Sequence, residues 1–128
     1  MGPNTQLAQR FFAATAAADA AALREICAAQ FTASQNNGPS MNVDALIGFT
    51  QAVVAAVDNF RYENPVRAET QGGFVEEHDV ACDLPDGTQL NVRLCVVADV
   101  SDGKITSMRE YVDGVAARGL AQALEGAA

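Results

Sequence analysis

Between Gly73 and Asp113 the chain carries three β-rich runs joined by two Asp-Gly dipeptides, Asp86-Gly87 and Asp102-Gly103. Asp-Gly between such runs is a strong hairpin signal, because glycine supplies the positive φ that tight turns need. The runs Gly73 to Asp83, Gln89 to Val100 and Lys104 to Asp113 are therefore expected to form an antiparallel meander. Nothing else in the sequence limits the fold as tightly. Carboxylates lie within these runs as well as at their ends, so the face each acid occupies becomes the central functional question.

Upstream the periodicity is helical. Asn4 or Thr5 can cap a first helix with Leu7, Phe11, Ala14 and Ala18 on one stripe. Asp19 can cap a second helix that buries Leu23, Ile26 and Cys27. Phe31 to Gln35 reads as a short strand, ended by Asn36-Asn37-Gly38-Pro39-Ser40, in which nearly every residue favours a turn. Asn42 or Asp44 then caps a helix to about Val57 with Leu46, Ile47 and Val53 inside. From Phe60 the period becomes two: Phe60, Tyr62, Val66 and Ala68 alternate with charged residues, and Pro65 marks a bulge or an edge. Val115 to Leu124 reads as a short terminal helix. Helices first and a meander afterwards predict an α+β domain over residues 1–128, a curved antiparallel sheet with the N-terminal helices on its concave face, in the manner of a cone-like α+β barrel.

A formal charge of −8 and a pI near 4.4 argue against nucleic acid or an anionic membrane as partner, since both need clustered Lys and Arg. No run is long enough for a membrane span, and residues 1–8 lack the pattern of a secretory signal, so a cytoplasmic location is expected. Cys27, Cys82 and Cys95 are spaced as buried reduced thiols. With His78 the only histidine, no metal is expected; the chemistry read below is expected to need no cofactor.

Strand alternation puts Glu77 and Asp79 on one face and Glu76 and His78 on the other. A two-residue Asp86-Gly87 turn sets Asp79 opposite Leu94 and sends Glu77 and Asp79 inward. A three-residue Pro85-Asp86-Gly87 loop shifts the pairing by one and sends His78 inward instead. Met108, Glu110 and Val112 share a face of the last run, and a three-residue Ser101-Asp102-Gly103 loop would bring Glu110 near Leu94. Two carboxyls in one apolar hollow cannot both ionise cheaply, so one becomes a general acid and the other a base. Asp79 and Glu110 are thus the candidate acid/base pair. Asn37 and His78 would orient substrate or water, and Glu77 would tune them. Phe11, Phe49 and Met108 would line a site for a small apolar ligand. Set against this, acids in the strands of so acidic a chain are more often a solvated face than a catalytic one.

The order of helices, strand, Asn-Gly-Pro turn, helix and meander, closing in Asp102-Gly103-Lys104-Ile105 and Arg109-Glu110-Tyr111-Val112-Asp113, resembles the SnoaL-like branch of the nuclear-transport-factor-two-like superfamily. Ketosteroid isomerases and limonene epoxide hydrolases share that superfamily. The resemblance implies cofactor-independent hydrolysis, isomerisation or cyclisation, or a non-catalytic binding or dimerisation module, and a homodimer through the outer sheet face. On the epoxide-hydrolase pattern Asp79 matches a family acid, Glu110 replaces the water-activating Asp, and Glu77 stands at the bridging arginine's place.

Overall fold

The computed structural model describes residues 2–127. Elements run α1 (Pro3–Ala16), α2 (Ala20–Ile26), β1 (Cys27–Gln35), α3 (Val43–Ala56), β2 (Asp58–Thr70), β3 (Gly73–Asp83), β4 (Gln89–Ser101), β5 (Lys104–Val112) and α4 (Arg118–Ala127). Two expected caps are present: Asp19 accepts from Ala22 N–H at 3.1 Å and Asn42 from Ala45 N–H at 2.9 Å. At α1 the expectation of Asn4 or Thr5 is corrected. The helix starts at Pro3, and the Glu69 carboxylate of β2 accepts from the Asn4 and Thr5 N–H groups, so the cap comes from across the fold.

The five strands form a single sheet in the order β1-β5-β4-β3-β2. The three predicted runs are the antiparallel meander β3-β4-β5, and β2 extends it by antiparallel pairing to β3. The expected all-antiparallel, barrel-like closure is wrong. β1 is parallel to β5, which makes the sheet mixed, and β1 and β2 stand at opposite edges with no ladder between them. The cause is the connection. α3 intervenes between β1 and β2, so the two cannot pair as a hairpin, and β1 instead takes the free edge of β5.

Three local irregularities decide which way the side chains point. The β3–β4 turn is the three-residue version, with Leu84 N–H bonded to the Thr88 carbonyl and His78 opposite Leu94. The β4–β5 turn is instead a two-residue Asp102-Gly103 turn, both residues at positive φ (53° and 74°). A bulge follows it: Ile105 pairs with Val100 but Ser107 with Asp99, leaving Thr106 extra. In β2 the pairing slips between Glu63 and Val66, where Asn64 sits at φ 55° before Pro65. That slip corrects the predicted β2 stripe. Phe60 and Tyr62 pack on the core, while Val66, opposite Glu77, lies on the outer face and is 64% exposed.

The inner face of the sheet carries Phe74, Glu76, His78 and Val80 of β3, Leu94, Val96 and Ala98 of β4, and Met108 and Glu110 of β5. α1 and α3 cover it through Leu7, Phe11, Phe12, Leu46 and Ile47. Phe31, Phe74, Leu23 and Ile105 are almost wholly buried there, each side chain worth about 1.5–3 kcal/mol of hydrophobic burial. α4 closes a second cluster, laying Leu120 and Leu124 against Val53, Val57, Cys82, Leu90 and Val92. All three cysteines are free thiols. Cys27 and Cys82 are buried as expected, whereas Cys95 is partly exposed on the outer face. Burial pushes the Cys27 thiol up to about 11, which makes it a poor nucleophile.

Candidate functional site

Between the inner sheet face and α1 and α3 lies a cavity of about 320 Å³. Phe11 and Phe12 of α1, Leu46 and Phe49 of α3, and Val96 and Met108 of the sheet give it apolar walls. Phe11, Phe49 and Met108 therefore stand where the sequence suggested, with Phe49 43% exposed at the rim. Pro39 and Met41 form another part of the wall, and Met41 is pinned by two backbone hydrogen bonds to Ala33 of 2.8 and 2.9 Å.

Glu110 is the only carboxyl among the lining residues. Gln35, at the end of β1, is its parallel partner in register and donates its amide Nε2–H to Oε2 at 2.6 Å. Asn36 fixes this corner by exchanging two side-chain hydrogen bonds with the Val112 backbone, at 2.8 and 3.0 Å. Burial raises the Glu110 pKa above the ordinary carboxyl range, outweighing the Gln35 hydrogen bond and the influence of His78, both of which favour ionisation.

Asp79 and Glu110 are not brought together. The three-residue β3–β4 turn puts Asp79 opposite Arg93 on the outer face, so the expected shared hollow is absent. Arg93 Nε–H donates to Asp79 Oδ1 at 2.8 Å and Asn64 Nδ2–H to Oδ2 at 3.0 Å. These hydrogen bonds, Arg93 first, hold the Asp79 carboxyl below its usual range. Glu77 lies on the same outer face, exposed and opposite Cys95. Asn37 sits in the exposed β1–α3 turn at φ 59° and does not line the cavity.

His78 is buried at 1% exposure, one layer behind the cavity wall, where Phe12 packs edge-on and Tyr62 tilted against it with ring centroids 4.7 and 4.5 Å away. Its Nδ1 lies 2.6 Å from Oε2 of the wholly buried Glu76. The other Glu76 oxygen, Oε1, accepts from Nε–H of Arg67. His78 Nε2 is buried with no hydrogen bond, the one such side-chain atom among the described residues. A polar atom left unpaired in an interior costs stability, and native proteins keep few of them. Tyr62, whose hydroxyl is 2.9 Å from Thr15 Oγ1, has its pKa raised by burial and is a neutral phenol at neutral pH.

Glu76, Arg67, Gln35 and Tyr62 were not singled out from the sequence as site residues. Glu76 was readable as the face partner of His78 once the longer turn was chosen. Arg67 was not, because simple alternation puts it on the outer face, and only the Asn64-Pro65 slip turns it to Glu76. No group of three or more His, Cys, Asp or Glu able to hold a metal occurs among the described residues. No helix among them is long and apolar enough to cross a membrane.

A helix-covered five-stranded sheet of this kind is the fold of solved proteins described as ketosteroid isomerase-like or NTF2-like. Residues 8–108 match the model of the SnoaL-like domain, and the chain belongs to that family. Solved structures agree on the fold. IdmH from Streptomyces antibioticus, a candidate polyketide cyclase, shares 15% identity over 98% of this chain and 99% of its own, with a TM-score of 0.79. PrhC from Penicillium brasilianum shares 12% over 97% and 89%, with a TM-score of 0.82. A hypothetical protein from Catenulispora acidiphila with a ketosteroid isomerase-like fold, in complex with trimethylamine, shares 18% over 82% and 83%, with a TM-score of 0.72. No curated protein matches the chain.

Proposed function

We propose that the cavity binds a small, mostly apolar molecule and that Glu110 transfers a proton to it in a cofactor-independent hydrolysis, isomerisation or cyclisation. The observation that carries this reading is a single carboxyl set in a mostly apolar wall. Burial favours its neutral form, which suits a general acid. Glu110 gives its proton to an oxygen of the substrate, and the carboxylate so formed takes one from carbon or from an attacking water, which restores the neutral acid. Asp79, expected from the sequence as the second member, is paired with Arg93 on the other face and takes no part in this scheme. On the outer face Val66 and Tyr111, 64% and 48% exposed, are the apolar contacts we assign to a homodimer.

A non-catalytic binding module is the second reading. It is favoured by the packing of Phe12 and Tyr62, both cavity-lining residues, against the His78 ring. The two readings separate in an assay of small apolar epoxides and enolisable ketones. Catalysis predicts turnover that falls at least ~100-fold in Glu110→Gln while ligand-induced thermal stabilisation is kept. Equal stabilisation of both proteins by a ligand, with no turnover by either, would establish the binding module instead.

A further inference from the structure

A neutral carboxyl has two unlike oxygens, one carrying the proton and one that only accepts, and an acid in a cavity wall is useful only if the proton is on the oxygen that meets the ligand. In Glu110 the two oxygens have different surroundings. Oε2 accepts from the Gln35 amide Nε2–H at 2.6 Å. Oε1 has no protein partner, and it is not sealed in the interior, because His78 Nε2 is the one buried side-chain polar atom without a partner among the described residues. Oε1 is therefore the atom left open to a ligand. A donor held against Oε2 makes that atom the accepting oxygen of the neutral acid and leaves the proton on Oε1. With the amide turned over, the Gln35 carbonyl would accept the proton from Oε2 and withdraw it from the cavity.

Gln35 is exposed where it lines the cavity, and a long side chain in such a place keeps its rotamer freedom unless something restrains it. The end of β1 supplies the restraint. Gln35 and Glu110 are partners in the parallel β1–β5 register, the Asn36 N–H donates to the Glu110 carbonyl at 2.8 Å, and the Asn36 side chain exchanges its two hydrogen bonds with Val112. Asn36 lies at φ 51°, left-handed backbone that asparagine adopts more readily than most residues. Gln35 is the one donor bonded to the Glu110 carboxyl among the described residues. The Thr15 and Thr50 hydroxyls give their protons to carbonyls of their own helices, at 3.1 and 2.9 Å. α1 and α3 bring no titratable side chain to the wall, β4 brings Val96, and β2 brings the neutral phenol of Tyr62. His78 of β3 acts on Glu110 only through space.

We propose that Gln35 is a positioning residue for Glu110: its amide N–H occupies Oε2, keeps the transferable proton on Oε1, and stays in place to stabilise the carboxylate once that proton has gone. This rests on the acid role assigned to Glu110 above, but its test needs no substrate, so it can fail while the turnover assay of Glu110→Gln succeeds, and the reverse. In ¹⁵N–¹H spectra the Gln35 side-chain amide is the signal lost in Gln35→Leu, and in ¹³C spectra the Glu110 carboxyl is the one lost in Glu110→Gln. In the unaltered protein one Gln35 amide proton should sit downfield of a free amide on both sides of the Glu110 titration, and further downfield once the carboxylate has formed. Gln35→Leu should raise the Glu110 midpoint, because the carboxylate loses its donor. Gln35→Asn, equally polar but one methylene short of the contact, should raise it too. A folded Gln35→Leu with an unchanged midpoint, whatever its melting temperature, would overturn the proposal. A rise confined to Gln35→Leu would also overturn it, by tracing the effect to the polarity of the corner. So would an amide signal that returns to the free position when Glu110 is neutral, since the Gln35 carbonyl would then hold the proton.

Discussion

Replacing Glu110 by glutamine should stabilise the protein, and by an amount that depends on pH. Burial makes the folded protein hold the Glu110 proton more tightly than the unfolded chain does. The stability contributed by the neutral carboxyl is therefore fully present below the unfolded value of about 4.3 and is lost as pH rises through the higher folded value. Glutamine has no proton to lose, and its carbonyl oxygen can still accept from Gln35. Each tenfold by which burial weakens the acid costs the parent about 1.4 kcal/mol once Glu110 is ionised in both states. For a chain of 128 residues the unfolding entropy is about 0.27 kcal/mol per kelvin, so that cost corresponds to about 5 °C in melting temperature. Thermal unfolding of both proteins from pH 4 to pH 8 measures it directly. The two curves should nearly coincide at pH 4 and diverge above it, with Glu110→Gln the more stable. A gap that stays constant across the range, or a parent that gains on the variant as pH rises, would refute the claim that this carboxyl is desolvated.

Asp79→Asn should behave in the opposite sense. The Asp79 carboxyl is held low by Arg93 and Asn64, so its stabilisation is present at neutral pH and is lost as pH falls through the folded value. The variant should melt below the parent at pH 7, the difference should shrink toward pH 3, and turnover should be unaffected; a variant that loses turnover while keeping its melting temperature would restore Asp79 to the chemistry. Gly73→Ala tests the sheet itself. A β-carbon at Gly73 would run into the Ala98 carbonyl of β4, deep inside van der Waals contact and against backbone that cannot swing away. Calorimetry should record a loss of about 3 kcal/mol or more, or roughly 10 °C, and a neutral substitution would mean that β3 and β4 lie further apart than described.

What could be read from the sequence is what local chemistry decides. The Asp-Gly dipeptides announced both hairpins, Asp19 and Asn42 announced their helices, and Pro65 announced the irregular edge strand. Strand phase was harder. Turn lengths of two and three residues are close in energy and reverse which face is buried, and the two Asp-Gly turns resolve in opposite ways. Glu110 was nevertheless placed on the correct face, because a two-residue turn followed by the Thr106 bulge has the same parity as the three-residue loop that was expected. Asp79 had no such compensation and fell on the outer face. The pairing of β1 with β5 and the capping of α1 by Glu69 join residues more than sixty positions apart, and no short-range pattern encodes them.

The bulges at Asn64-Pro65 and Thr106 act as reading-frame corrections for the sheet. Each adds one residue and so decides whether Arg67 or Glu110 is presented to the interior or to the solvent. Loss of a single residue at either point would leave strand order and core composition almost intact while exchanging the set of charges that face the interior. A fold of this kind can therefore acquire or discard a reactive group by insertion and deletion alone, with no codon for a charged residue altered.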